Sequence, residues 1–189
     1  MQALHHFLKT QLEIPDRLVT ESAEYYQEET MGKGDFLVKQ GQRCHRLSLI
    51  TQGYLRFYSH ASKKAVTHWI FGQQQMVTDV ASFFLQQPAK WNIQALTPTT
   101  VHTLHSSQYE KLRTQIPEWD HHEKRFLIKL LSALENRVYT LVSMSAEERF
   151  KYLFQADPDM FNELPLQYIA SMLGMTAETL SRMRNKLAS

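Results

Sequence analysis

The sequence predicts an α+β fold with N-terminal helices, a small β-roll and a helical C-terminal third. Three observations predict it. Apolar residues follow a helical period over about 1–30, shift towards a period of two over about 31–104, and return to a helical period after Ser106. Several short apolar runs in the middle segment, separated by turn residues, indicate a small barrel or sandwich. A long one-sided apolar stripe over 118–144 indicates one long helix.

Composition excludes several classes of protein. The chain has 189 residues, of which 43% are hydrophobic and 21% charged, so it can bury a core and is not a disordered chain. Its single cysteine excludes an intrachain disulfide and a cysteine zinc site, and a reducing, cytoplasmic location is expected. Neither a bilayer-spanning apolar run nor an N-terminal secretion signal is recognisable. The net charge of +2 argues neither for nor against a nucleic-acid partner.

The first 30 residues predict two helices separated by Pro15. The first carries Leu4, Phe7, Leu8 and Leu12 at helical spacing. The second is predicted over about 16–29, with Asp16 as its cap. The strands of the roll are predicted over 34–38, 47–50, 53–58, 66–71, 93–96 and 101–104.

The helical third begins at Ser106 with a helix to about Gln115, followed by the long helix over 118–144. A helix with this much apolar surface on one side must bury that surface. The sequence allows two packing partners for it: a second copy of the chain, or the outer face of the roll. Ser145 and Glu148 then match a capping box that starts a helix to about Gln155. The stripe itself consists of Phe126, Leu127, Leu130, Leu131, Leu134, Val138, Leu141 and Val142.

Residues 164–187 predict two short helices joined by a tight turn. Pro165 suits a helix start, and Gly174 can adopt the positive φ that ends the first helix. Thr176 can cap the second helix, whose inward residues would be Leu180, Met183 and Leu187. The outward residues would be Ala177, Glu178, Ser181, Arg182 and Asn185.

That outward face suits contact with base edges in a DNA major groove. An exposed arginine such as Arg182 can make two hydrogen bonds to guanine, and Glu178 can accept one from cytosine. Arg184 and Lys186 are better placed for phosphates, which position a protein without reading sequence. The alternative from spacing alone is an ordinary helical hairpin with a solvated charged face.

The segment 169–182, IASMLGMTAETLSR, resembles the helix-turn-helix of the Crp/Fnr family of bacterial transcription regulators. The order of the predicted parts is also similar to that family, over nearly the whole chain. The resemblance implies an RmlC-like jelly roll of the cyclic-nucleotide-binding type, a homodimer formed through the 118–144 helix, and binding to double-stranded DNA. It implies DNA contacts by Thr176, Glu178, Ser181, Arg182, Arg184, Asn185 and Lys186. Many family members have an arginine where this chain has Ala177, so a different base preference is expected.

The cyclic-nucleotide pocket implied by the resemblance is degenerate here. The family pattern has a Gly-Glu pair followed about ten residues later by Arg-Ser or Arg-Thr. This chain has Asp79 at the glutamate and Ala89-Lys90 at the arginine pair. Lys90 offers a point charge but not the planar fork that pairs with a cyclic phosphate. Ordinary cyclic AMP binding and a cofactor are therefore not expected, and the effector stays open. The degenerate pocket consists of Asp79, Val80, Ala81, Ser82, Ala89 and Lys90.

These inferences divide the chain into an effector domain at 1–117, a dimerisation helix at 118–144 and a DNA-binding module at 145–189. The sequence stops soon after the recognition helix, so no β-hairpin wing is expected there. RNA polymerase is a candidate partner, although the sequence identifies no surface for it.

The competing function is a ligand-sensing or protein-interaction module that does not bind DNA specifically. An enzyme is not expected, because no catalytic set and no cupin-like metal set of histidines is present. One cysteine cannot hold an iron–sulfur cluster. Cys44 is predicted in a surface turn, and the sequence leaves a redox role open. His68, His102 and His105 are predicted on strands as surface or hydrogen-bonded side chains rather than ligands.

Overall fold

The computed structural model describes residues 1–61 and 64–188, apart from the side chains of residues 61, 187 and 188. The predicted inward position of Leu187 therefore lies outside the described side chains. The α-helices are α1 (Gln2–Thr10), α2 (Asp16–Ala23), α3 (Val80–Leu85), α4 (Ser106–Gln115), α5 (Trp119–Ser143), α6 (Ala146–Ala156), α7 (Met160–Glu163), α8 (Leu166–Leu173) and α9 (Ala177–Ala188). The strands are β1 (Tyr26–Met31), β2 (Phe36–Val38), β3 (Arg46–Gln52), β4 (Leu55–Ala61), β5 (Lys64–Phe71), β6 (Met76–Val77), β7 (Asn92–Ala95) and β8 (Thr99–His105).

The eight strands form two four-stranded sheets, and every pairing is antiparallel. One sheet has the order β1-β8-β3-β6 and the other the order β2-β7-β4-β5. Their facing sides enclose a cluster that includes Leu55, Ile93 and Val101. This arrangement confirms the predicted α+β fold with a β-roll between N-terminal and C-terminal helices. It leaves β5 as an edge strand of the second sheet.

The predicted helix over 16–29 is wrong beyond Ala23. Residues 26–31 instead form β1, which pairs with β8 from Tyr26 opposite Leu104 to Met31 opposite Thr99. Pro15 rather than Asp16 is the residue that precedes the helix. The local sequence is rich in glutamate and suits a helix, but pairing with a strand some 75 residues away supplies backbone hydrogen bonds along one edge of this segment. A non-local partner of this kind leaves little trace in local periodicity.

The outer face of the first sheet is covered by the N-terminal helices, α4 and the start of α5. Trp119 at the start of α5 is buried in this cluster, and Phe126 packs edge-on against Phe7 at 5.6 Å between ring centroids. Cys44, expected at the surface, is instead buried in the cluster between the sheets. Its Sγ lies 3.4 Å from the carbonyl oxygen of Arg46 and 3.5 Å from Oγ1 of Thr78.

Beyond Phe126, the apolar stripe of α5 is exposed in the single chain. Leu131, Leu134 and Val138 keep 58%, 59% and 55% of their surface accessible. The outer face of the roll therefore does not cover the stripe. Of the two packing partners that the sequence allowed, a second copy of the chain is the one that remains. Within the described residues, no helix has the length and apolar character needed to cross a bilayer.

His102 on β8 is buried and was not expected to be. Neither ring nitrogen has a hydrogen-bond partner among the described residues, although Nε2 lies 3.5 Å from a carboxylate oxygen of Glu28. Burial lowers the pKa of His102, the N-terminal ammonium group lowers it further, and Glu28 opposes both. The folded state therefore holds this imidazole neutral more strongly than the unfolded chain does.

This burial predicts that the protein loses stability as the pH falls. Protons bind the unfolded chain more readily once the pH drops below about 6.5, the ordinary pKa of histidine, so the free energy of unfolding decreases from there until the pH passes the lower folded pKa. His102→Leu is expected to flatten this dependence in urea unfolding between pH 7.5 and 5.5. His68 keeps part of the slope, because burial lowers its pKa too. The matched control is His6→Asn on the exposed side of α1, and an equally steep slope in His102→Leu would contradict the prediction.

Candidate nucleic-acid interface and effector pocket

The C-terminal module, α6 to α9, is a set of short helices around an apolar cluster of its own. The predicted capping box is confirmed: Ser145 Oγ accepts from Glu148 N at 3.3 Å, and Glu148 Oε2 accepts from Ser145 N at 2.7 Å. Phe150, Ile169 and Leu180 fill the centre and are at most 1% exposed. The segment between α6 and α8 contains one helical turn, α7, and no strand.

The turn between α8 and α9 follows the predicted chemistry. Gly174 ends α8 with φ +69°, a conformation that costs little only for glycine. The Thr176 hydroxyl then accepts a hydrogen bond from Thr179 N at 3.2 Å, which caps the first turn of α9. These two residues fix the angle between the helices, and Leu180 anchors α9 against α8.

One face of α9 is free of packing, and it carries the predicted DNA-contacting side chains. Ser181 is half-buried, and Met183 packs on the opposite side against the apolar cluster. Arg182 reaches back to Oγ1 of Thr179 at 3.5 Å, a long contact that leaves most guanidinium donors free for another partner. The exposed predicted residues are Thr176, Glu178, Arg182, Arg184, Asn185 and Lys186.

The charge of this face is mainly positive, since Glu178 is the one acidic residue of α9 beside three basic ones. The positive field extends to the neighbouring helix. Lys151 lowers the pKa of the Glu147 carboxyl chiefly through its hydrogen bond, and Lys186 adds to that lowering through its charge. A polar, cationic face at the start and middle of a well-packed helix can contact both base edges and phosphates.

The residues of the degenerate effector pocket lie near one another, but the side chains of Asp79 and Ser82 are already hydrogen-bonded to the backbone. Asp79 is buried, and its carboxylate accepts from the backbone N–H groups of Ser82, Lys90 and Trp91 at 3.0, 2.9 and 3.3 Å. It therefore ties the start of α3 to the segment after Pro88. The Ser82 hydroxyl accepts from Cys44 N at 2.7 Å.

The remaining predicted pocket residues offer little to a ligand inside the roll. The Val80 and Lys90 side chains are exposed, Ala81 is half-buried, and Ala89 is buried with its backbone bonded to 41–42. An aromatic cluster around Trp91, a residue whose sequence position allowed either a ligand cavity or ordinary core packing, lies beside them. Trp91 contacts His68 at 4.3 Å and Phe57 at 5.2 Å between ring centroids. Alternating aromatic residues on adjacent strands were the signal that could have found this cluster.

A cleft of about 930 Å³ lies elsewhere, where the roll, α5 and the C-terminal module meet. None of the six predicted pocket residues lines it. Two arginines on its wall hold the last carbonyl groups of α8: Arg137 donates to Met172 O, and Arg149 donates to Leu173 O at 2.9 Å. Burial lowers the pKa of Arg137, and the charge of Arg149 lowers it further. Sequence reasoning missed both residues, because nothing local marks an arginine that bonds a distant helix end.

Comparison with known proteins agrees with this architecture. Residues 28–115 match the cyclic nucleotide-binding domain family. FixK2 from Bradyrhizobium japonicum has a similar structure at TM-score 0.73 and 18% identity, covering 86% of this chain and 84% of its own. The catabolite activator protein of Thermus thermophilus is similar at TM-score 0.59 and 19% identity, covering 96% and 86%.

The c-di-GMP-responsive global regulator CLP of Xanthomonas campestris is similar at TM-score 0.67 and 11% identity, covering 92% of each chain. No protein of curated function matches the sequence significantly. Residues 28–115 thus resemble the cyclic nucleotide-binding domain family, and the fold of the chain is similar to the folds of FixK2, the catabolite activator protein and CLP.

Proposed function

We propose that this chain is a transcription regulator of Crp/Fnr type that binds DNA as a dimer and inserts α9 into the major groove. The observation that carries the proposal is the exposed cationic face of α9, presented by a capped and tightly packed helix pair. Glu178, Ser181 and Arg182 are assigned to base edges, and Arg184 and Lys186 to phosphates. Thr176, which caps α9, and Asn185 are also exposed and are assigned to DNA contact. The similarity to the global regulator CLP and to a catabolite activator protein supports the assignment.

The exposed stripe of α5 supports the dimer. Five of its apolar residues are spaced by four, three, four and three, which is the heptad pattern of a coiled coil. Val138 occupies one a-type position, and leucines occupy the d-type positions, a combination that favours two parallel strands. A two-fold pair of this kind would place two copies of α9 about 34 Å apart, the repeat of adjacent major grooves on one face of DNA. The five residues are Leu127, Leu131, Leu134, Val138 and Leu141.

Cyclic AMP is expected not to bind at the pocket of the family pattern. The Asp79 carboxylate already uses the backbone N–H groups there, and a phosphate would meet this negative charge without an arginine to offset it. Titration calorimetry with millimolar cyclic AMP should show no saturable heat. A saturable heat that Lys90→Ala abolishes would contradict this and identify Lys90 as a phosphate contact.

The proposal is tested by selection of bound sequences from random double-stranded DNA, followed by gel shifts over a series of salt concentrations. We expect a two-fold symmetric operator and an affinity that falls steeply with salt. Absence of any selected, salt-dependent binding would favour the competing function, a ligand-sensing or protein-interaction module. The domain limits at 117 and 144, a cytoplasmic location and a contact with RNA polymerase stay predictions of the same proposal.

A further inference from the structure

Arg56 on β4 is a buried arginine, and the described part of the chain places no acidic partner beside it. Only 6% of its surface is exposed, and no carboxylate among the described residues pairs with it. Its Nε donates to Oγ1 of Thr67 on β5 at 2.8 Å. Burial lowers the pKa of this guanidinium, which reflects the cost of removing a charge from water. An apolar side chain would pack here at a lower desolvation cost, so packing alone does not explain why this position holds a charged residue.

The guanidinium lies over two tyrosine rings that belong to different parts of the molecule. Its central carbon is 4.2 Å from the centroid of Tyr58 on β4 and 4.3 Å from that of Tyr168 on α8. A planar cation over an aromatic face is attracted by the ring electrons, more strongly when water is excluded. Arg56 therefore joins the β-roll to the first helix of the helix-turn-helix.

A second polar contact lies next to this one. Thr67 N, on the edge strand β5, donates to Oγ of Ser171 on α8 at 2.9 Å. Apolar packing of Ile70 against the α8 cluster supplies attraction between the parts, but such packing is not directional. The arginine–tyrosine contact and the hydrogen bond are directional, so they select one placement of α8 on the outer face of the sheet.

We propose that Arg56 is a positioning residue for DNA recognition, through which the β-roll sets the orientation of the helix-turn-helix directly. The inference rests on the proposed function. α9 follows α8 after a three-residue turn and shares its apolar cluster, so the placement of α8 determines where α9 points. In this docked arrangement the predicted DNA-contacting residues of α9 stay exposed. The contact would therefore preorganise α9 for DNA binding and would not block that binding.

The test is a double-mutant cycle read on DNA. Arg56→Met and Tyr168→Leu should each weaken binding to the selected operator by about tenfold, the size of one lost cation–ring contact. The double variant should bind no more weakly than Arg56→Met alone, because that change already removes the contact with Tyr168. Tyr168→Phe keeps the ring and should bind as the wild type does. The salt dependence should not change, because neither residue contacts phosphate.

Operators with altered half-site spacing separate positioning from simple destabilisation. The wild type should reject a spacing changed by one base pair, and Arg56→Met should reject it less. Tyr152→Leu, which removes an exposed tyrosine of α6, is the matched control and should change neither quantity. Additive losses in the cycle, or an unchanged spacing preference in Arg56→Met, would overturn the inference. If the wild type selects no DNA, the proposed function fails, and the coupling of Arg56 with Tyr168 in urea unfolding still decides whether this contact holds α8.

Discussion

Leu134→Glu should convert the dimer into a monomer and weaken operator binding by at least about 100-fold. The side chain lies in the middle of the exposed α5 stripe, so in a coiled coil two glutamates would face each other in the apolar seam. In the proposed dimer each α9 alone would make a modest contact with DNA, and the affinity would come from the second half-site binding at high effective concentration. Sedimentation measures the mass, and gel shifts measure the affinity.

The control for this variant is Ser132→Glu, which adds the same charge to an exposed position of α5 outside the stripe. It should leave both mass and affinity unchanged. Because Leu134 is 59% exposed in the single chain, the monomeric variant should keep the circular dichroism and unfolding midpoint of a folded subunit. A Leu134→Glu protein that sediments as a dimer would refute α5 as the interface.

Arg182→Ala should weaken binding by about 10- to 100-fold and remove the preference for one base pair in each half-site. The expected loss of binding free energy is about 1–3 kcal/mol, the contribution of one bidentate arginine contact to guanine. Because the contact of Arg182 with Thr179 is long and exposed, the substitution should leave stability nearly unchanged. The measurement is a panel of operators, each with a single base-pair substitution, bound by the wild type and by the variant.

Lys186→Ala is the matched comparison on the same helix. A phosphate contact carries no sequence information, so this change should weaken binding to every operator alike and reduce the salt slope by about one. If Arg182→Ala also lowered affinity uniformly across the panel, its assignment to a base edge would be wrong.

The elements that sequence reasoning identified are those whose signal is local. The capping box at Ser145, the glycine turn at Gly174 and the cap at Thr176 depend on residues within four positions, and the structure shows each of them. The α5 stripe was found because one helical period repeats from Phe126 to Val142. In each case the physical cause lies inside the segment that is being read.

The features that were missed depend on distant partners. β1 exists because β8 pairs with it, and the burial of His102 depends on the strands and helix around it. The roles of Arg56, Arg137 and Arg149 come from contacts with residues of helix α8 that lie 24 or more positions away in the sequence. In the effector pocket, the substitution at Asp79 was visible, but its bonds to the segment after Pro88 were not. Propensity and periodicity carry no information about such pairings.

In the proposed regulator, the two arginines that bond the last carbonyl groups of α8 would link subunit pairing to DNA recognition. Arg137 extends from the helix proposed to bind the second subunit, Arg149 extends from α6, and both hold adjacent carbonyl groups just before the turn into α9. A shift of one helix against the other would pull on the same turn. By thermodynamic linkage, operator DNA must strengthen dimerisation by the same factor by which dimerisation strengthens operator binding. Cognate DNA should then lower the protein concentration at which subunits associate, so that assembly is completed on the promoter itself.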